Sequence, residues 1–119
     1  MRIGLLAARA GVSTSRIRFY EAEGLLPSPP RSHSGYRDYD ERALEIILFI
    51  NRARGLGFSL AEVAAHLDSP QGHTRKARLL TKMEDKIREL DLLLADLQTR
   101  RATLLGLAAE LRKTVAQDH

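Results

Sequence analysis

Val12-Ser13-Thr14-Ser15-Arg16-Ile17-Arg18-Phe19-Tyr20-Glu21-Ala22-Glu23-Gly24 is the stretch whose reading decides the fold. Both ends of a helix are written into it. Ser13 offers a hydroxyl to the first free amides, and Val12 and Ile17 stand at the N′ and N4 positions of a hydrophobic staple. Gly24 can take the left-handed conformation that stops a helix. Between these ends lie two arginines, the small hydroxyls Thr14 and Ser15, and the adjacent aromatics Phe19 and Tyr20. The acids Glu21 and Glu23 are confined to the last turn. Such a helix is suited to laying its first turns against a polyanion.

Immediately upstream, Ile3 to Ala10 is apolar enough for a short helix that Gly11 stops before Ser13 starts the next. Two helices joined by a short glycine-containing turn form a helix-turn-helix signature. Downstream, Pro27, Pro29 and Pro30 forbid helix. Ser34-Gly35 then reads as a tight turn, and Tyr36-Arg37-Asp38-Tyr39 alternates as a short strand. A small two-stranded wing is expected, with Arg31 and Arg37 flanking its tip and Tyr36 offering a ring and a hydroxyl to a sugar-phosphate backbone.

Asp40 caps a third helix that runs to about Arg54, and Gly55-Leu56-Gly57 ends it. Ser59-x-x-Glu62 is a capping box with Phe58 and Val63 as its staple, so a fourth helix follows and ends near Asp68-Ser69-Pro70. This second helical pair repeats the first in outline and offers Arg52 and Arg54 as a second grip on a backbone. From Arg75 to Ala116 only Gly106 interrupts a helical pattern. Leu80, Met83, Ile87, Leu90, Leu94, Leu97, Leu104, Ala108, Leu111 and Val115 alternate spacings of three and four, with Arg101 in the one polar slot. That heptad stripe, sustained over about five heptads and roughly 60 Å, requires a partner. A second copy of the same helix is the economical one, with Arg101 setting register or orientation at some cost in stability.

Composition narrows the function. The 119 residues hold 44% apolar but only 5% aromatic residues, which favours a helical core of Leu, Ala and Ile. There is no cysteine, hence no disulfide and no thiolate metal site, and no apolar run is long enough to span a membrane. The start of the chain lacks the pattern of a signal peptide, so a cytoplasmic location is expected. The net charge is +4. All nine basic residues before position 61 are arginine (Arg2, Arg9, Arg16, Arg18, Arg31, Arg37, Arg42, Arg52 and Arg54), against six acids, and every lysine lies beyond residue 75. Arginine donates bidentately to phosphate and guanine. Arginine-biased codon usage is the competing explanation, and the lysines of the second half argue against it as the sole cause.

The ordered set Ile3-Gly4-x-Leu6-Ala7, Gly11-Val12-Ser13, Ile17-Arg18-Phe19-Tyr20-Glu21, Gly24-Leu25-Leu26, Ser34-Gly35-Tyr36-Arg37-x-Tyr39 and Leu56-Gly57-Phe58-Ser59-Leu60 resembles the MerR family of bacterial transcription regulators. Leu5 departs from it, since the family commonly has a polar or acidic residue there. The resemblance implies a mainly α fold: a winged helix-turn-helix domain over residues 1–70, then a dimerisation helix over 71–119 that forms an antiparallel coiled coil. It implies a homodimer that binds a pseudo-palindromic promoter in double-stranded DNA and distorts its spacer, so that RNA polymerase can engage both recognition elements. Carried over residue by residue, Thr14, Ser15, Arg16, Arg18, Phe19 and Tyr20 would meet the major groove and its edges. Tyr36 and Arg37 would hold phosphate from the wing, and Arg54 from the second wing. Ile17 fits the core better than the groove, Tyr20 fits either, and Arg9 fits solvent.

The sensor is where the pattern departs. The chain looks most like the CueR-like metal-responsive branch but lacks its cysteines. His66, His73 and His119, with Asp118, are the remaining candidate ligands, and no two histidines stand at an i, i+4 spacing. No metal ligand and no cofactor are assigned, the effector domain is expected to be minimal or absent, and the effector is left open. No nucleophile–base pair, glycine-rich phosphate loop or paired carboxylates point to catalysis. The alternative to a DNA-binding regulator is a coiled-coil protein-interaction adaptor, whose arginines would meet an acidic protein surface.

Overall fold

A computed structural model describes residues 1–118 and contains five helices among them: α1 (Ile3–Ala10), α2 (Thr14–Ala22), α3 (Glu41–Gly55), α4 (Leu60–Asp68) and α5 (His73–Gln117). The chain divides into a unit of Met1–Arg75 and a second unit that begins at Lys76. In the first, α1 packs on α2 and on α3, and α3 packs on α4. Leu6, Ile17, Leu26, Ile47 and Ile50 are fully buried at the centre, joined by Tyr20, Tyr39, Leu44 and Val63. Each helix contributes a narrow apolar stripe, and α3 supplies the widest.

The helix ends are set by the residues expected to set them. The Ser13 hydroxyl accepts from the Arg16 amide at 3.0 Å, and the Asp40 carboxylate from the Ala43 amide at 3.0 Å. Ser59 and Glu62 close the reciprocal capping box, at 3.1 and 3.0 Å. Gly24 has φ +77°, and around it the Leu25 amide donates to the Tyr20 carbonyl at 2.9 Å and the Gly24 amide to the Glu21 carbonyl at 3.1 Å. These two bonds satisfy carbonyls that the end of α2 would otherwise leave open.

The strand expected at Tyr36–Tyr39 does not form. One antiparallel bridge pairs Arg31 with Arg37, and the rest of the segment is turn and irregular backbone. The opposing arm carries Pro27, Pro29 and Pro30, which have no amide to donate to a ladder. The Asp38 amide donating to the Pro30 carbonyl at 3.0 Å and the Ser32 amide to the Tyr36 carbonyl at 2.6 Å make that bridge, while the Tyr39 amide turns away and donates to the Met1 carbonyl at 2.7 Å. The wing is therefore a loop with a single rung.

Arg9, expected in solvent, instead makes a bidentate contact across the domain, donating to the two Glu41 carboxylate oxygens at 2.6 and 3.1 Å. Hydrogen bonding from Arg9 holds the Glu41 carboxyl below its ordinary range, aided by charge attraction. A depressed carboxyl value means that the contact stabilises the fold above the ordinary carboxylate pKa and that this stabilisation is lost as pH falls through the depressed one. The difference in melting temperature between the parent and Arg9→Met is therefore expected to be largest at neutral pH. It should shrink as pH falls from about 5 to about 3.

Candidate nucleic-acid interface

α2 sorts its side chains by face. Ile17 and Tyr20 turn inward, Thr14 is half-buried, and Ser15, Arg16, Arg18 and Phe19 are exposed. The Tyr20 hydroxyl donates to Asn51 Oδ1 at 3.2 Å, which ties α2 to α3. Of the residues expected at the groove, Tyr20 is thus a core residue, at 4% exposure. Its ring supports Phe19, which stands 6.1 Å away at a tilt of 52° and is 41% exposed. Among the described residues, neither the Arg16 nor the Arg18 side chain is tied up by a carboxylate.

The wing is held against α2 by a buried carboxylate. Glu21, its side chain only 5% exposed, accepts from the Arg37 guanidinium and from the Tyr39 hydroxyl. Burial, with the hydrogen bond to Glu21, pushes the Tyr39 hydroxyl above the ordinary phenol value, so it stays a neutral donor at working pH. Arg37 is half-buried and serves this contact first, whatever else it touches. At the tip, Gly35 has φ +83° and its carbonyl accepts from the Arg31 guanidinium at 2.9 Å. Tyr36 is 55% exposed, and the Arg2 guanidinium lies 4.1 Å from its ring centroid.

Between the start of α1, the flank of α2 and the wing runs a groove of about 890 Å³. Arg2, Arg18, Arg31 and Arg37 line it, together with Gly4, Leu5 and Tyr36, and its one acid is the already paired Glu21. A concave surface lined by one sign of charge concentrates the opposite sign. Arg54 lies outside the groove lining, exposed in the last turn of α3 beside Arg52.

In the second unit the described part of α5 buries nothing. Leu80, Met83, Ile87, Leu90, Leu94, Leu97, Leu104, Leu111 and Val115 are all exposed, at 43% or more, and Ala108 with them. The intrahelical pairs Arg88–Asp85, Lys86–Glu89 and Arg100–Asp96 occupy neighbouring positions, and Arg101 takes part in none of them.

Two features were not legible from sequence. Glu21 reads there as one more acid at a helix end, and nothing local places Arg37 and Tyr39 over it. Arg2 counts among the arginines, but only the fold brings it to Tyr36. His66, one of the candidate ligands, is half-buried, stacks on Phe49 at 5.3 Å and accepts from Arg75 Nε at 3.3 Å. His73 is the first residue of α5, and His119 lies outside the described residues.

The two wing-facing arginines should therefore behave differently on truncation. Arg37→Ala leaves an enclosed carboxylate with the Tyr39 hydroxyl alone and is expected to lower stability clearly. Arg18→Ala removes a solvated side chain and should stay within about 0.5 kcal/mol of the parent. Urea unfolding of the two variants checks this contrast.

Comparison with known proteins places this geometry. The chain matches the family model of the MerR HTH family regulatory protein over residues 1–70 and that of MerR, DNA binding over residues 44–107. An HTH-type transcriptional regulator of Pseudomonas aeruginosa is 41% identical over 108 residues, covering 90% of this chain and 82% of the relative. The HTH-type transcriptional regulator CueR of Salmonella typhimurium is 33% identical over 111 residues, covering 91% and 79%. The crystal structure of HiNmlR, a MerR family regulator lacking the sensor domain and bound to promoter DNA, shares the fold at a TM-score of 0.66 and 23% identity, over 82% of this chain and 75% of that one. These matches support a DNA-binding regulator rather than an adaptor or an enzyme. The chain belongs to the MerR family of helix-turn-helix transcription regulators.

Proposed function

We propose that two copies of the chain, paired antiparallel through the apolar stripe of α5, present two α2–wing faces to the half-sites of a pseudo-palindromic promoter. The pair distorts the spacer between them and so controls transcription by RNA polymerase. One observation carries the DNA-facing part of this reading. Arg18 of α2, Arg31 and Arg37 of the wing and Arg2 ahead of α1 line one groove, and the acid in its lining, Glu21, is already paired with Arg37. In this reading Thr14 and Ser15 serve the first turn of α2. Arg16 and Arg18 reach the groove edges and phosphates, and Phe19 packs on a sugar edge or a thymine methyl. Tyr36, Arg37 and Arg54 hold the backbone, while Tyr20 positions Phe19 from the core.

The dimer rests on a different observation. Leu80 through Val115 expose an apolar stripe along a helix with no buried residue among those described, and large exposed apolar surfaces mark association sites. Heptad spacing fits a second helix. Two domains held at a fixed separation demand two half-sites in fixed phase, and a spacer of the wrong length must then be bent or untwisted.

Hydroxyl-radical footprinting on fragments selected from the source genome should give two protected half-sites related by a dyad. Affinity should fall steeply with salt through counterion release. Leu94→Lys, in the seam, should yield monomers by sedimentation and lower affinity for the full site far more than for a single half-site. A single continuous footprint without symmetry would overturn the dimer, and the absence of any footprint would overturn the DNA reading.

A further inference from the structure

Arg2 stands out because the fold gives it a place that the helix alone does not explain. It is the N-cap residue of α1, where a guanidinium, having donors only, cannot cap the helix amides. The guanidinium lies instead over the Tyr36 ring, 4.1 Å from the centroid, at the rim of the groove that Arg18 lines from the α2 side. A guanidinium stacked on an aromatic face is held in place while its in-plane N–H donors remain available to another acceptor. Among the described residues, no carboxylate pairs with Arg2.

Gly4 supplies the second observation. It is helical and is absent from the glycines with positive φ, and a Cβ built on it would meet nothing within 4 Å. Neither backbone conformation nor packing of the free protein calls for glycine there. A glycine inside a helix costs about 1 kcal/mol relative to alanine. The residue lines the same groove as Arg2, Arg18 and Tyr36, so the open space over it is space on the groove floor.

From these juxtapositions we infer that Arg2, Arg18 and Tyr36 form a clamp for a backbone phosphate of the duplex, with Gly4 giving the strand room to approach α1. This rests on the DNA reading above and extends it to two residues outside α2 and the wing. The contact is to phosphate, so it adds affinity without choosing sequence. The Tyr36 ring acts by holding Arg2 as well as by offering its own hydroxyl.

The test uses the full chain with Arg2→Ala and Gly4→Ala, titrated against a duplex carrying the selected site and against a random duplex, over a range of salt. Arg2→Ala should bind roughly tenfold more weakly to both duplexes, and its salt slope should drop by about one. Gly4→Ala should melt no lower than the parent, because alanine favours the helix, yet bind both duplexes more weakly. Either variant binding as tightly as the parent, with the parental slope, overturns the clamp. So does an Arg2→Ala loss confined to the selected site, which would mark a base contact. A parent protein that binds neither duplex would overturn the DNA reading itself, a result distinct from all of these.

Discussion

A carboxylate enclosed to 5% exposure needs donors, and Glu21 has two: the Arg37 guanidinium and the Tyr39 hydroxyl. Its place in the chain gives this contact its reach. Glu21 lies in the last turn of α2, Arg37 in the wing, and Tyr39 just before the cap of α3. One acid therefore fixes the wing to the helix that faces the groove and anchors the start of the helix that fills the core. The wing needs such an anchor because it has a single backbone rung of its own. A loop of that kind is marginal in isolation. The same pairing removes the only negative charge from a groove lined by four arginines. Positioning and electrostatics thus depend on one side chain.

The second constraint is apolar. The first unit completes a small core around Leu6, Ile17, Ile47 and Ile50, whereas the described residues of α5 carry leucines along their length and bury none of them. Burying a leucine contributes about 1.5–3 kcal/mol, which is what the proposed pairing through this stripe would draw on. Arg101 interrupts the stripe and forms no ion pair among the described residues. A lone cation in a seam penalises pairings that bring it against its own copy, and this favours an arrangement in which it meets another residue.

Much of this architecture was legible in the sequence because its signals are local. Ser13, Asp40 and Ser59 cap the helices they precede, Gly24 ends α2, and the spacing from Leu80 to Val115 marks one long amphipathic helix. Alternation at Tyr36–Tyr39 favours a strand that does not form, because it says nothing about the prolines across from it or about Met1 taking the Tyr39 amide. The polar contacts that organise the site were not legible for a related reason. Glu21 and Arg37 are 16 residues apart and Tyr20 and Asn51 are 31 apart, and no local pattern encodes such pairings. Arg2, Arg9 and His66 look like solvated groups until the fold supplies Tyr36, Glu41 and Arg75.

The central claim is that α2 and the wing grip DNA as one unit because Glu21 holds them together. A double-mutant cycle on duplex affinity with Glu21→Gln and Tyr36→Ala tests it most directly. If Glu21 places the wing, loosening it already forfeits most of what Tyr36 contributes, and the two losses should fall short of additivity by about 1 kcal/mol or more. Losses that add to within about 0.5 kcal/mol would show that the wing and α2 act independently, and would contradict this account.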